Sequence, residues 1–194
     1  MPSLRIISGE LGGRVIKTPI KKILKPTPSR VREQLFSWIR PDLADTQCLD
    51  LFAGSGSLGI EAISNGADNC IFVEQNQELN FYLKNNCDDL GITDKTKVLR
   101  QSAENFVRRV KDKKFDIIFF DPPFNKNYIS ALVPKIIDRF SKQGTLIYIE
   151  NRTSDEKYNF DALELIKETV SGESNGKLYR VSLWELAHDH PSSH

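Results

Sequence analysis

Histidine is nearly missing from this chain. Of 194 residues only His188, His190 and His194 are histidines, all in the closing AHDHPSSH, so no imidazole is available to a pocket in the body of the sequence. That stretch reads as a frayed tail rather than a metal site, and no metal is expected. Cysteine is equally sparse: Cys48, Cys70 and Cys87 are odd in number, widely spaced and without a Cys-x-x-Cys pair. Buried reduced thiols follow, not zinc ligands or disulfides. No apolar run approaches the roughly 20 residues of a membrane span. The opening MPSLRIISGE lacks the charged-then-apolar layout of a secretory signal. No membrane partner is expected, and the cytoplasm is the expected location.

Net charge is also small, at +1, but it is unevenly spread. Residues 1–40 carry nine Lys/Arg against Glu10 and Glu33, giving +7, while the remaining 154 residues carry 18 basic and 24 acidic side chains, giving −6. A basic segment on an acidic body is the footprint of a part that meets a polyanion; a merely solvated basic arm is the alternative.

From residue 48 onward, short apolar runs alternate with helical patterns. The runs are CLDLF (48–52), NCIFVE (69–74), TKVLRQ (96–101), FDIIFFD (115–121) and GTLIYIE (144–150). Helices are predicted over about 57–65, 76–90, 103–111 and 127–141. Near-continuous apolar strands separated by helices predict a doubly wound α/β domain with a mostly parallel sheet covered on both faces. LELIKETVSGE and GKLYRVSLWEL then follow with only a Gly172–Gly176 turn between them, so this last pair must be antiparallel. A nicotinamide-type sheet would add another parallel strand here, whereas methyltransferase sheets close on an antiparallel hairpin. The chain divides into an N-terminal extension (1–40), a main domain (41–187) and a tail (188–194). The extension reads as a separate appendage: a small hairpin in LRIISGELGGRVIKTP, then a helix in KPTPSRVREQLFSWIR with Ser29 as N-cap, ended by Pro41.

Gly54, Gly56 and Gly59 spell G-x-G-x-x-G between a strand and a helix, where backbone N–H groups and the helix N-terminus face a ligand. Glu74, 20 residues after Gly54, ends the next strand and can accept from ribose hydroxyls. NAD and S-adenosylmethionine fit these features equally. Asp50, inside the strand before the loop, favours the second, because an acid there can meet a cationic amino-acid end or hydrogen-bond the loop that holds it, and would be a poor neighbour for a pyrophosphate. Asp121-Pro122-Pro123-Phe124 follows the fourth strand at the carboxyl edge. Two prolines remove two N–H donors and leave carbonyls to accept. With the Asp121 carboxylate and the Phe124 ring, they suit an exocyclic amine on a flat base. Gln101–Phe106 should lie along the adenine, with Ser102 and Ala103 beside the ring and Glu104 capping the next helix.

These residues resemble the class I S-adenosylmethionine-dependent methyltransferases that act on exocyclic amines. RIISGELGGRVIKTP, KPTPSRVREQLFSWI and their spacing to the glycine loop are similar to one subgroup, the bacterial RsmD-type small-subunit ribosomal RNA guanine-N2 methyltransferases, from about Arg5 to Glu150. The resemblance implies methylation of one guanine of 16S rRNA, in an assembled or assembling small subunit, by a monomer. It also implies S-adenosylmethionine held by Asp50, Phe52, Ala53, Gly54, Ser55, Gly56, Glu74, Gln75, Ser102 and Ala103. Asp121, Pro122, Pro123 and Phe124 would hold the guanine, while Arg5, Arg14, Lys25, Arg30 and Arg32 would meet the RNA. The family's usual Ile-Gly-Gly is Ile7-Ser8-Gly9 here, its Arg-Pro-Thr is Lys25-Pro26-Thr27, and Ser29 stands where Asp is frequent.

Other readings remain. A DNA adenine-N6 methyltransferase shares the Asp-Pro-Pro-aromatic chemistry, but no target-recognition segment is evident. A protein glutamine methyltransferase carries Asn where Asp121 stands. A nicotinamide oxidoreductase needs a pocket His or a Tyr-Lys pair, and Tyr128 has no Lys at helical spacing. A non-catalytic RNA-binding module leaves the cofactor constellation unexplained.

Overall fold

The structure, a computed structural model, describes residues 3–19, 27–123, 127–153, 158–174 and 177–187. In chain order the elements are β1 (Ser3–Arg5), β2 (Val15–Lys17), α1 (Ser29–Ile39), β3 (Gln47–Asp50), α2 (Ser57–Ser64), β4 (Asn69–Val73), α3 (Gln77–Leu90), β5 (Thr96–Leu99), α4 (Ala103–Arg109), β6 (Phe115–Phe120), α5 (Tyr128–Phe140), β7 (Ser141–Arg152), β8 (Leu163–Ser174) and β9 (Lys177–Leu186). Strands β3 to β9 form one sheet of order β5-β4-β3-β6-β7-β9-β8, and β1-β2 form a separate antiparallel ribbon. The first five strands of that order run parallel, and β9 pairs antiparallel with both β7 and β8. The expected α/β architecture is therefore present, closing antiparallel hairpin included. Among the described residues no helix is long and apolar enough to cross a membrane.

Alternation along the strands builds two apolar layers. Cys48, Phe72, Phe119 and Tyr148 point to a layer shared with α1, α2 and the ribbon. Leu49, Val73, Ile118, Phe120, Ile147 and Ile149 point to the opposite layer, under α4 and α5. A strand buried on both faces has no polar side, which is why these runs lack strict polar alternation. All eight residues of α2 are buried, because the sheet covers one side and the β1-β2 turn the other.

The N-terminal segment is not a separate appendage. Ile6, Leu11, Ile16, Val31, Leu35 and Phe36 share one apolar cluster with Cys48, Ile63 and Phe72. Its turn is bolted to the end of α2: Glu10 N donates to Ser64 O at 2.7 Å and Leu11 N to Ser64 Oγ at 3.0 Å. At Gly9 (φ +80°) a Cβ would sit 1.9 Å from Ser64 O, so this approach requires glycine. Sequence reading missed this because the docking surface lies more than 50 residues downstream.

Three local expectations change. Pro28, not Ser29, is the N-cap of α1, and Ser29 starts the helix. Ser102, not Glu104, caps α4, accepting from Asn105 N at 3.2 Å. Strand β7 starts before residue 144, because Gly144 takes a left-handed turn (φ +77°) and a register shift opposite Phe115–Ile117 lets pairing continue.

Candidate active site

Period-two alternation carries more than the core. Two residues beyond Phe72, Cys48, Phe119 and Tyr148, on the same face and at the carboxyl ends of neighbouring strands, stand Glu74, Asp50, Asp121 and Glu150. In sheet order β4-β3-β6-β7 they form a row of four acids, with neighbouring strands spaced about 4.8 Å apart. All four line one cavity of about 530 Å³, roofed by the start of α1 through Thr27, Pro28 and Val31.

Backbone N–H groups hold Glu74 and Asp50, and side-chain hydroxyls meet Asp121 and Glu150. Glu74 accepts from Gly54 N (Oε2, 2.8 Å) and Asn76 N (Oε1, 2.6 Å), so one carboxylate ties the glycine loop to the start of α3. Asn76 is the α3 N-cap, accepting from Glu78 N and Leu79 N. Asp50 accepts from Gly59 N at 3.3 Å. Thr27 Oγ1 donates to Asp121 Oδ2 at 3.2 Å, bringing the N-terminal segment directly onto the Asp-Pro-Pro turn. The hydroxyl of Tyr148 donates to Glu150 Oε2 at 3.1 Å.

The four acids share the cavity wall with one cation, Arg152. Burial foremost, with Asp121 and Glu74 adding repulsion, pushes the Asp50 carboxyl up to about 7, against the lowering effect of bonds from Gly59 and Phe52. Burial also raises Glu74, opposed by its bonds from Asn76, Gly54 and Gln75. Burial thus disfavours ionisation of Asp50 and Glu74, and a cation beside them relieves it.

The glycines do separate jobs. Gly54 (φ +52°) lets the loop backbone face the cavity. Gly56 (φ +78°) heads α2 and does not line the cavity; a Cβ there would meet Leu83 Cδ1 at 2.3 Å. At Gly59 a Cβ would meet Phe72 Cε1 at 2.3 Å, so the third glycine serves helix–strand packing. Of the expected cofactor residues, Asp50, Phe52, Ala53, Gly54, Ser55, Glu74, Gln75, Ser102 and Ala103 come together in the cavity, joined by Asp121, Pro122 and Pro123. Phe124 lies outside the described residues, as do Lys25 and the tail histidines.

The expected RNA-contacting arginines divide. Arg5 and Arg30 are exposed. Arg14 is exposed too, yet its guanidinium donates to the carbonyls of Asp89 (2.5 Å) and Leu90 (3.0 Å), closing the C-terminus of α3. Arg32 is corrected outright: it is 2% exposed, ion-paired to Glu61 at 3.2 Å and bonded to Arg5 O. It holds the fold and presents no charge to a polyanion.

Sequence reading missed Thr27, Val31, Glu150 and Arg152 as cavity residues. For Glu150 a signal existed: CLD, FVE, FFD and YIE all end apolar strands in an acid.

A parallel sheet closed by an antiparallel hairpin, with a glycine loop and an Asp-Pro-Pro turn on neighbouring carboxyl edges, has the fold of the class I methyltransferases. More narrowly, the chain belongs to the RsmD-type family, whose model, described as conserved hypothetical protein 95, matches residues 4–180. "Ribosomal RNA small subunit methyltransferase D" of Haemophilus influenzae is 33% identical over 180 residues, covering 91% of this chain and 93% of that one. The solved structure of Escherichia coli yhhF superposes with TM-score 0.84 at 30% identity, covering 95% of this chain and 98% of that one. Pyrococcus horikoshii TYW2, crystallised in complex with MeSAdo, shares the fold at TM-score 0.69 and 17% identity, over 90% of this chain and 68% of its own.

Proposed function

We propose that this protein transfers a methyl group from S-adenosylmethionine to the exocyclic N2 amine of a guanine in 16S ribosomal RNA. The carrying observation is the acid row running from the glycine loop into the Asp-Pro-Pro turn. Its first half suits a ligand with ribose hydroxyls and positive charge; its second half suits an amine. Relatives named as small-subunit ribosomal RNA methyltransferases, aligned over nine-tenths of the chain, support RNA as the substrate.

When bound, S-adenosylmethionine supplies a methyl group on a cationic sulfur, already activated for displacement. The protein's part is placement. Glu74 accepts from the ribose, and Asp50 faces the cationic amino-acid end. Asp121 and the Pro122 carbonyl accept the two N–H bonds of the amine, orienting its lone pair and stabilising the positive charge that grows on nitrogen. Asp121 need not be a strong base, since a methylated ammonium nitrogen is acidic. Phe124 stacks on the extruded base. Residues 1–40 serve as the RNA-contacting extension of a monomer acting on the small subunit, and they also complete the cavity of the 41–187 main domain through Thr27 and Val31.

The test is methyl transfer to small subunits that lack the modification, followed by nucleoside mass spectrometry. N2-methylguanine is expected, and any other methylated nucleoside refutes the reading. Arg30→Glu should weaken RNA binding and flatten the log Kd against log salt slope by about one; an unchanged slope removes Arg30 from the interface.

Asp50 gives the reading a pH signature. Its carboxyl titrates near 7 in the ligand-free protein, above its unfolded value, so its ionisation between about pH 4 and 7 costs folding stability. A cationic ligand prefers the ionised form. S-adenosylmethionine affinity should therefore rise roughly tenfold from pH 6 to pH 8, with proton release at pH 6 that fades by pH 8. Calorimetry in buffers of different ionisation enthalpy measures this, and Asp50→Asn should abolish the linkage. Equal proton release in that variant would place the titrating group elsewhere.

A further inference from the structure

The acid row is one member longer than the proposed chemistry uses. Glu74 and Asp50 face the cofactor and Asp121 the amine, which leaves Glu150. The parallel register pairs Phe119 with Tyr148 and Phe120 with Ile149, so continuing it brings Asp121 beside Glu150. Glu150 is only 6% exposed, yet it lines the cavity. Tyr148, fully buried in the core, pins it by donating its hydroxyl to Oε2 at 3.1 Å. Burial first, and the nearby Glu150 carboxylate second, hold that phenol protonated and therefore a donor.

A buried carboxylate on a cavity wall also accepts from donors that a ligand brings to it. Position along the row separates its possible partners: Glu150 lies on the far side of Asp121 from Asp50 and Glu74, beyond the amine rather than beside the cofactor. Two adjacent carboxylates offer only acceptors. Extruded bases are read on their Watson–Crick edges. Guanine presents two neighbouring donors there, N1–H and the N2 amine. Adenine and cytosine each present an amine beside a ring nitrogen that only accepts.

We propose that Glu150 is a specificity-determining residue that accepts the N1–H of the target guanine while Asp121 accepts from its amine. An amine flanked by a ring acceptor is then rejected, because it faces Glu150 with one lone pair against another. This inference rests on the guanine reading above and adds the residue that enforces it.

The test uses small subunits reconstituted on 16S rRNA carrying guanine or 2-aminopurine at the target position. 2-Aminopurine keeps the amine but replaces N1–H with a lone pair; its missing exocyclic carbonyl oxygen at position 6 affects every enzyme variant alike. The unaltered protein should favour guanine by roughly 5- to 150-fold in kcat/KM, the range of one good base contact. Glu150→Gln keeps the volume and can donate to a ring acceptor. It should lose activity on guanine, gain on 2-aminopurine and shrink the ratio at least fivefold, with S-adenosylmethionine Kd within twofold. Tyr148→Phe removes only the pin and should shift the ratio the same way by less. An equal loss on both substrates, or an unchanged ratio in Glu150→Gln, overturns the role. If the unaltered protein methylates no guanine at all, the activity itself is misread, and this inference falls with it.

Discussion

Replacing Asp121 by Ala should lower methyl transfer by at least about 10²- to 10³-fold, the cost of losing one preorganised group aimed at developing charge. S-Adenosylmethionine Kd should stay within a few-fold. The two readouts separate because the row separates them: Asp50 and Glu74 lie on β3 and β4, Asp121 on the far side at β6. Asp121→Asn keeps one acceptor oxygen for the amine and should retain more activity than Ala. Asp121 also receives the Thr27 hydroxyl, so part of its effect passes through the docked N-terminal segment, and circular dichroism with cofactor titration should show that segment still in place. Loss of cofactor binding in parallel with activity would move Asp121 into the cofactor half and defeat its assigned role.

How much of this was legible beforehand depends on the range of the interactions. The glycine loop, Glu74, Asp50 and the Asp-Pro-Pro turn were readable because each sits at a strand end that the apolar pattern marks, and a parallel sheet gathers such ends along one edge. Glu150 carries the same signature in YIE, yet without sheet order nothing in the sequence says that β7 lies beside β6. Gly56 and Gly59 look identical to Gly54 in a fingerprint, but their roles depend on Leu83 and Phe72, contacts that a local motif does not contain. Thr27 and Val31 were hidden for the same reason. A segment read as a basic arm roofs the cavity, and its contact with Asp121 spans 94 residues of chain.

Arg32 shows the limit most sharply and leads to the largest stability effect expected. Among nine basic residues in a segment of charge +7, nothing local distinguishes it from Arg30. The difference lies in Glu61, 29 residues away and 0% exposed. Its carboxylate accepts from Ile7 N (3.0 Å) and Ser8 N (2.8 Å) as well as from Arg32, while Arg32 reaches Arg5 O. One buried acid thus joins the β1-β2 ribbon, α1 and α2. Glu61→Ala or Arg32→Ala leaves an uncompensated buried charge and should cost about 3–5 kcal/mol, a fall in Tm of roughly 10 °C for a chain of this size. Replacing both by leucine should not restore stability, unlike many isolated buried pairs, because Ile7 N–H, Ser8 N–H and Arg5 C=O would all lose partners. Thermal melts of the two single variants and the double close the cycle. A double variant as stable as the parent would show the pair to be dispensable. A double variant at or below the singles would show that it docks the N-terminal segment over the acid row, where Thr27 meets Asp121.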